Sequence, residues 1–334
     1  MSEKRKNDHI DLTFSSRPKE QLLVDNVYYE PILSGHPKHR SRFSFLGHDF
    51  AIPLWVSSMT GGAKRAANIN KNLAKACEEF KLGMGLGSCR SLLESDQRWE
   101  DFDVRKFMPT RPLYTNFGIA QIEQLVQENK LAKIKEITER LNADGLIIHI
   151  NPLQEWAQAE GDRYYEAPLV TIKKVLDRVS LPVIIKEVGQ GFGPQSLAQL
   201  SYLPLAAIEL AGYGGTNFTL LEQARLSGAN SGKYSPKQSF GHIGHRVEEM
   251  INWLNQLDSS KMQCQNFIIS GGIVDPLKGM FYKKQLKHNC VFGMASELLK
   301  YAMDDYEKLS AYLKEVDDCV QMAEVFLVKG DQNG

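Results

Sequence analysis

The chain has 334 residues, 43% of them hydrophobic and 24% charged, and its 40 Lys and Arg balance 40 Asp and Glu. That composition supports a large buried core, and the zero formal charge excludes a general nucleic-acid or anionic-membrane binder, which needs a basic excess. Five cysteines, Cys77, Cys89, Cys264, Cys290 and Cys319, form no CxxC pair, so neither a disulfide framework nor a structural zinc site is expected. A reduced, cytoplasmic setting is expected. The opening "MSEKRKNDH" has no apolar signal region, and no run approaches the roughly 18 apolar residues of a membrane span.

Residues 1–50 are rich in Arg, Lys, His and Pro without a repeating pattern, and read as an N-terminal basic arm or cover. From Pro53 a rhythm starts. Short apolar runs predict strands at "LWVSSM" (54–59), "GMGLGS" (83–88), "PLYTNFG" (112–118), "LIIHINP" (146–152), "PVIIKEVG" (182–189), "AAIELAG" (206–212), "NFIISGG" (266–272) and "CVFGM" (290–294). Between them lie segments of helical period, including "NINKNLAKACEEF", "AQIEQLVQENKLAKIKEITERL", "PLVTIKKVLDRV", "VEEMINWLNQL" and "PLKGMFYKKQL". Asn68, Asn70 and Asp144 are expected as caps or turn residues. Eight strands alternating with helices predict an α/β fold, a (β/α)8 TIM barrel over 51–334, with a doubly wound sheet as the alternative.

In such a barrel the chemistry sits where the strands end. Here almost every end carries glycine, a hydroxyl, an amide or one charge: "SSMTGG", "GLGSCR", "TNFG", "HINPLQE", "IKEVGQG", "AGYGGTNF", "SGGI" and "FGMAS". Together they point to a large, flat ligand with polar edges. The glycines of "SGGI" (270–273) and "GMAS" (293–296) suit a phosphate between the last two loops. Lys186 points inward if "VIIKE" alternates, and a buried lysine needs an anionic or electron-rich partner; a Lys–Glu pair inside the barrel is the alternative. His149 also alternates inward, either as a hydrogen-bonded core residue or as a substrate contact. In "NPLQE", the carboxylate of Glu155 follows the amide of Gln154 directly. Gln154 offers hydrogen bonds without titrating. The plainer reading is a Gln/Glu pair at a helix N-terminus.

The stretches "SSMTGGAKRAANINKNLAKACEEFKLGMGLGSCRS", "HINPLQEWAQAEGD", "PVIIKEVGQG", "AGYGGTNF" and "ISGGI" resemble the type 2 isopentenyl-diphosphate isomerases, which are FMN-dependent barrel enzymes. The likeness runs from about Arg5 to Met294. It implies that Ser58, Met59, Thr60, Ser88, Asn116, Lys186 and Thr216 line the flavin, and that Gly271, Gly272, Gly293, Met294 and Ala295 hold its phosphate. It implies that Arg5, Lys6, His9, Ser88 and Arg90 meet the substrate diphosphate. His149, Asn151 and Gln154 would be catalytic, and Glu155 would hold Mg2+. NADPH would serve as reductant of the flavin, and a tetramer or octamer is the expected assembly. Three positions depart from the pattern. Val274 stands where the family usually has Arg, Cys89 where it usually has Gln, and "FGHIGH" (240–245) where Trp-Gly-x-Pro-Thr is usual. The stretch "GKYSPKQSFGHIGH" (232–245) is expected as a lid or subunit contact, with His242 and His245 solvated. The rival readings are an FMN α-hydroxy-acid oxidase or dehydrogenase, which needs a His base and Arg groups at the late strand ends, and a catalytically inactive flavin-binding barrel.

Overall fold

The computed structural model of the protein describes residues 27–58, 61, 65–227 and 236–330, together with Asp11. A short strand β1 (Val27–Tyr29) leads to a hairpin of β2 (Phe43–Phe45) and β3 (His48–Phe50). Then strands and helices alternate: β4 (Leu54–Val56), α1 (Ala66–Phe80), β5 (Gly83–Gly85), β6 (Leu113–Gly118), α2 (Ile119–Gln127), α3 (Ala132–Arg140), β7 (Gly145–Ile150), α4 (Pro152–Ala157) and α5 (Pro168–Arg178). The second half continues with β8 (Val183–Glu187), α6 (Pro194–Ser201), β9 (Ala207–Glu209), α7 (Phe218–Ser227), α8 (Val247–Gln256), β10 (Asn266–Ile269), α9 (Pro276–Gln285), β11 (Asn289–Met294), α10 (Ser296–Ala302), α11 (Tyr306–Phe326) and β12 (Leu327–Lys329).

Strands β4 to β11 form a closed parallel barrel, sealed where β11 pairs with β4. All eight predicted runs supply its strands, so the eightfold reading holds and the doubly wound alternative falls. Between β5 and β6 short 3-10 turns replace the helix. The predicted helical segment 120–141 is two helices, because Asn129 adopts φ 54° and the Lys130 N–H closes back on Leu125 O at 2.8 Å. Asn70 lies inside α1 rather than at its edge and donates to Asp101 O. Asp144 does serve a turn, accepting from the Leu113 N–H and pairing with Arg105.

The barrel floor is apolar. Trp55, Tyr114, Ile147, Ile184, Ala207, Ile268 and Val291 point inward, and Phe45 and Phe50 from the β2–β3 hairpin close the layer from below. These stretches of the expected arm therefore pack with the barrel. Each such buried ring contributes about 2 kcal/mol through the area removed from water. Gly83 makes room for the Trp55 ring, since a Cβ there would lie 2.2 Å from it. β1 pairs antiparallel with β12 and ties the two ends of the described chain together. No helix among the described residues is long and apolar enough to cross a membrane.

Candidate functional site

One layer above the floor the lumen turns polar. Register sets His149, Lys186 and Glu209 side by side on β7, β8 and β9, each two residues beyond an apolar floor residue. Glu209 is fully buried; its Oε1 accepts from Ser57 Oγ at 2.6 Å and from Ser270 Oγ at 3.1 Å. Its Oε2 is buried without a partner among the described residues. Lys186 is buried and donates to Glu187 O at 2.8 Å. Glu187 alternates away from the lumen. Its Oε2 takes the N–H groups of Gly189, Gln190 and Gly191 and so shapes the turn that ends β8. Burial raises its carboxyl pKa against those three bonds.

His149 Nδ1 lies 2.8 Å from Asn116 Oδ1, while Asn116 Nδ2 donates to Leu86 O at 3.0 Å. Asn116 Oδ1 is thus the acceptor, which assigns the imidazole proton to Nδ1 and leaves Nε2 as a lone-pair acceptor. Burial, helped by the Lys186 charge, pulls the His149 pKa down to about 3, so the ring is neutral at pH 7. A depressed pKa on a base means that the unfolded chain binds the proton first. The stability His149 contributes is therefore whole above pH 6.5 and is lost as pH falls towards 3. Urea unfolding should show wild type losing on the order of 2 kcal/mol more than His149→Asn between pH 7 and pH 4.5; equal losses would show that the ring protonates freely in the fold.

Ser58, Ser88, Asn116, His149, Gln154 and Lys186 line one cavity together. A second cavity is lined by Ser57, Ser58, Lys186, Glu209, Thr216 and the glycine loops. The two share Ser58, Lys186, Val188 and Phe218 and are one continuous site. Its far end is a cradle of backbone. Gly271 has φ 116° and Gly272 φ 66°, a region that favours glycine. A Cβ on Gly271 would lie 2.2 Å from Gly212 O, and one on Gly215 2.6 Å from Gly272 N. Only glycine lets the loops after β9 and β10 approach this closely. Gly293 and Ala295 complete the cradle, whereas Met294 turns its side chain into the outer core while its carbonyl accepts from Ser57 N. Val274 stands at the cradle's edge, where it brings no charge. Cys89 is packed, its thiol pKa pushed up to about 12 by burial, and so is inert filler.

The quoted end of β7 builds a second polar cluster. Asn151 precedes α4, Pro152 opens it, and Glu155 falls in its first turn. Glu155 Oε1 accepts from Asn151 Nδ2 at 3.0 Å and Oε2 from the Asp162 N–H at 2.8 Å. Burial raises the pKa of this carboxyl. Gly161 permits the turn, since a Cβ there would lie 1.9 Å from Glu155 O. Asp162 then accepts from Gln121 and pairs with Arg90 at 2.7 Å, so the rim arginine is tied to the loop that holds Glu155. Asn151 Oδ1 is buried without a partner among the described residues. No group of three or more His, Cys, Asp or Glu among those residues is placed to hold a metal. A cation here would rest on Glu155 and ligand oxygens, a donor set that suits magnesium.

The cradle and Ser58 Oγ, buried without a partner among the described residues, fit a flat cofactor bearing a phosphate. Of the expected site residues, Arg5, Lys6, His9, Met59 and Thr60 lie outside the described residues. The sequence reading missed Glu209 and Ser270; the signal was a glutamate in the middle of the apolar run "AAIELAG".

No family model matches the chain. The isopentenyl-diphosphate delta-isomerase of Cronobacter sakazakii is 36% identical over 279 residues, 81% of this chain and 78% of that protein. The enzymes of that name from Rickettsia typhi and Synechococcus are each 34% identical, over 89% and 81% of this chain and 85% and 75% of theirs. Among solved structures, a flavocytochrome b2 variant with pyruvate bound superposes with a TM-score of 0.62 at 12% identity, covering 90% of this chain and 72% of its own. A mandelate oxidase variant with an FMN adduct gives 0.55 at 12% identity, over 90% and 83%. At that identity the likeness is one of fold.

Proposed function

The chain belongs to the isopentenyl-diphosphate delta-isomerase family, and on that premise we propose that it is a flavin-dependent, type 2 member. It converts isopentenyl diphosphate to dimethylallyl diphosphate with reduced FMN and Mg2+. The observation that carries this reading is the continuous cavity in which Lys186, Asn116, His149 and Gln154 meet the glycine cradle.

The isomerisation adds a proton at one carbon and removes one from the next, with no net oxidation. His149 is neutral at pH 7 and Gln154 does not titrate, so the acid is assigned to the cofactor. When bound, reduced FMN supplies that acid–base chemistry. Gly271, Gly272, Gly293 and the backbone of Met294–Ala295 would hold its phosphate, and Ser58, Met59, Thr60, Ser88, Asn116, Lys186 and Thr216 would hold its ring system. Gln154 and His149 Nε2, both lining the cavity, and Asn151, bonded to Gln154 and Glu155, would orient the alkene. Glu155 would hold the magnesium that anchors the diphosphate, and Arg5, Lys6, His9, Ser88 and Arg90 would bind its oxygens. NADPH serves only to reduce the flavin. The same reading includes a cytoplasmic homo-oligomer, for which the exposed Tyr28, Ile32, Leu33 and Val328 near the β1–β12 ribbon offer an apolar face. The end of β10, "SGGIV", brings neither the His nor the Arg that α-hydroxy-acid oxidation needs.

Purified wild type should be yellow and keep its flavin bands through gel filtration. Lys186→Ala removes a charge-assisted contact worth about 1.5–3 kcal/mol, so FMN should bind roughly 10- to 100-fold more weakly. A fully loaded mutant would remove Lys186 from the site, and a wild type that cannot be reconstituted with FMN would end the flavin reading.

A further inference from the structure

We infer that Glu209, held by Ser57 and Ser270 beneath the strand-end cavity, is a positioning residue whose negative charge keeps the reduced cofactor basic; this rests on the flavin reading above. Among the described residues, the charged side chains lining the two joined cavities are Lys186 and Glu209. They are register partners on β8 and β9, both directed into the lumen. Three further facts show that the carboxylate is not a packing filler. It stands in an otherwise apolar run, "AAIELAG". Hydroxyls from two other strand ends, Ser57 after β4 and Ser270 after β10, converge on its Oε1. Its Oε2 is left buried without a partner among the described residues, a costly state unless nearby charge compensates it.

Lys186, its register partner on β8, is the cationic side chain lining the same cavity, and His149 adds no charge at pH 7. The lumen is therefore close to neutral overall. Two-electron, one-proton reduction places one net negative charge on a flavin ring. Lys186 favours that anion and Glu209 opposes it. The opposition matters for an isomerase, because a ring over-stabilised as an anion returns its proton affinity to the lysine and gives up basicity. Glu209 thus balances Lys186 within one buried cavity, a low-dielectric site where such terms are large.

The test is the reduction potential of bound FMN, titrated anaerobically with dithionite against a reference dye, in wild type, Glu209→Gln and Glu209→Asp. Gln keeps an oxygen to accept from the serines and deletes the charge, so its potential should move to a more positive value. Asp keeps the charge, so its potential should stay near that of wild type. If Gln does not yield folded protein, Glu209→Ala deletes the same charge and should shift the potential in the same direction. Equal potentials in wild type and the charge-deleted variant, both carrying flavin, would overturn this role and leave the flavin reading standing. A negative shift would overturn it equally. A wild type that holds no flavin would overturn both.

Discussion

Glu155→Gln should lose its response to Mg2+ and fall at least about a hundredfold in kcat/KM, the effect of removing several kcal/mol of metal-borne charge stabilisation, while FMN stays bound. The substitution is conservative in shape but not in bonding. Both carboxylate oxygens accept hydrogen bonds, one from Asn151 Nδ2 and one from the Asp162 N–H. An amide must turn its own NH2 towards one of these donors, so a local loss of about 1 kcal/mol accompanies the lost charge. The two effects separate on titration. A purely structural defect lowers activity at every metal concentration, whereas loss of the ligand abolishes the dependence. An unchanged magnesium titration would return Glu155 to the plainer role of a helix N-terminal carboxylate.

Deleting residues 1–10 should raise KM by tens to thousands of times and leave FMN content normal. The described rim supplies Arg90, already half satisfied by Asp162 at 2.7 Å, and a protein with no net charge needs further cations for a diphosphate. Arg5, Lys6 and His9 would each add a charge-assisted bond worth about 1.5–3 kcal/mol. The proposed flavin pocket is built from strand ends and does not need them. Salt should inhibit wild type more than the truncated form, because partly exposed cation–diphosphate contacts are screened. Steady-state kinetics at low and high salt decide the matter, and equal KM values would make the arm a solvated tail.

The barrel was legible because its strands are short apolar runs punctuated by glycine, and their ends carry the polar residues. The floor was not. The β2–β3 hairpin has strands of three residues, and only Phe45 and Phe50 mark its buried side. Nor was the split of 120–141 visible, since the break falls on Asn129 rather than on glycine or proline. The strand-end polar residues were readable one by one, and the cavities gather Ser58, Ser88, Asn116, His149, Gln154 and Lys186 as a set. Long-range partnerships stayed hidden: Arg90 with Asp162 and Ser57 with Glu209 join residues far apart in the chain, and no local pattern encodes them. The FGHIGH loop is pinned at the end of β8, where Gln190 Nε2 donates to Phe240 O at 2.9 Å and to Ile243 O at 2.8 Å.

The central claim is that flavin in its reduced form, with magnesium, moves a double bond without net oxidation. The direct measurement is an anaerobic incubation of isopentenyl diphosphate with the purified protein in D2O, followed by NMR, with the FMN oxidised or reduced and Mg2+ present or chelated. Deuterated dimethylallyl diphosphate should form only when reduced FMN and Mg2+ are both present. Equal conversion by flavin-stripped protein, or oxidation of substrate with stoichiometric reduction of the flavin, would contradict the account.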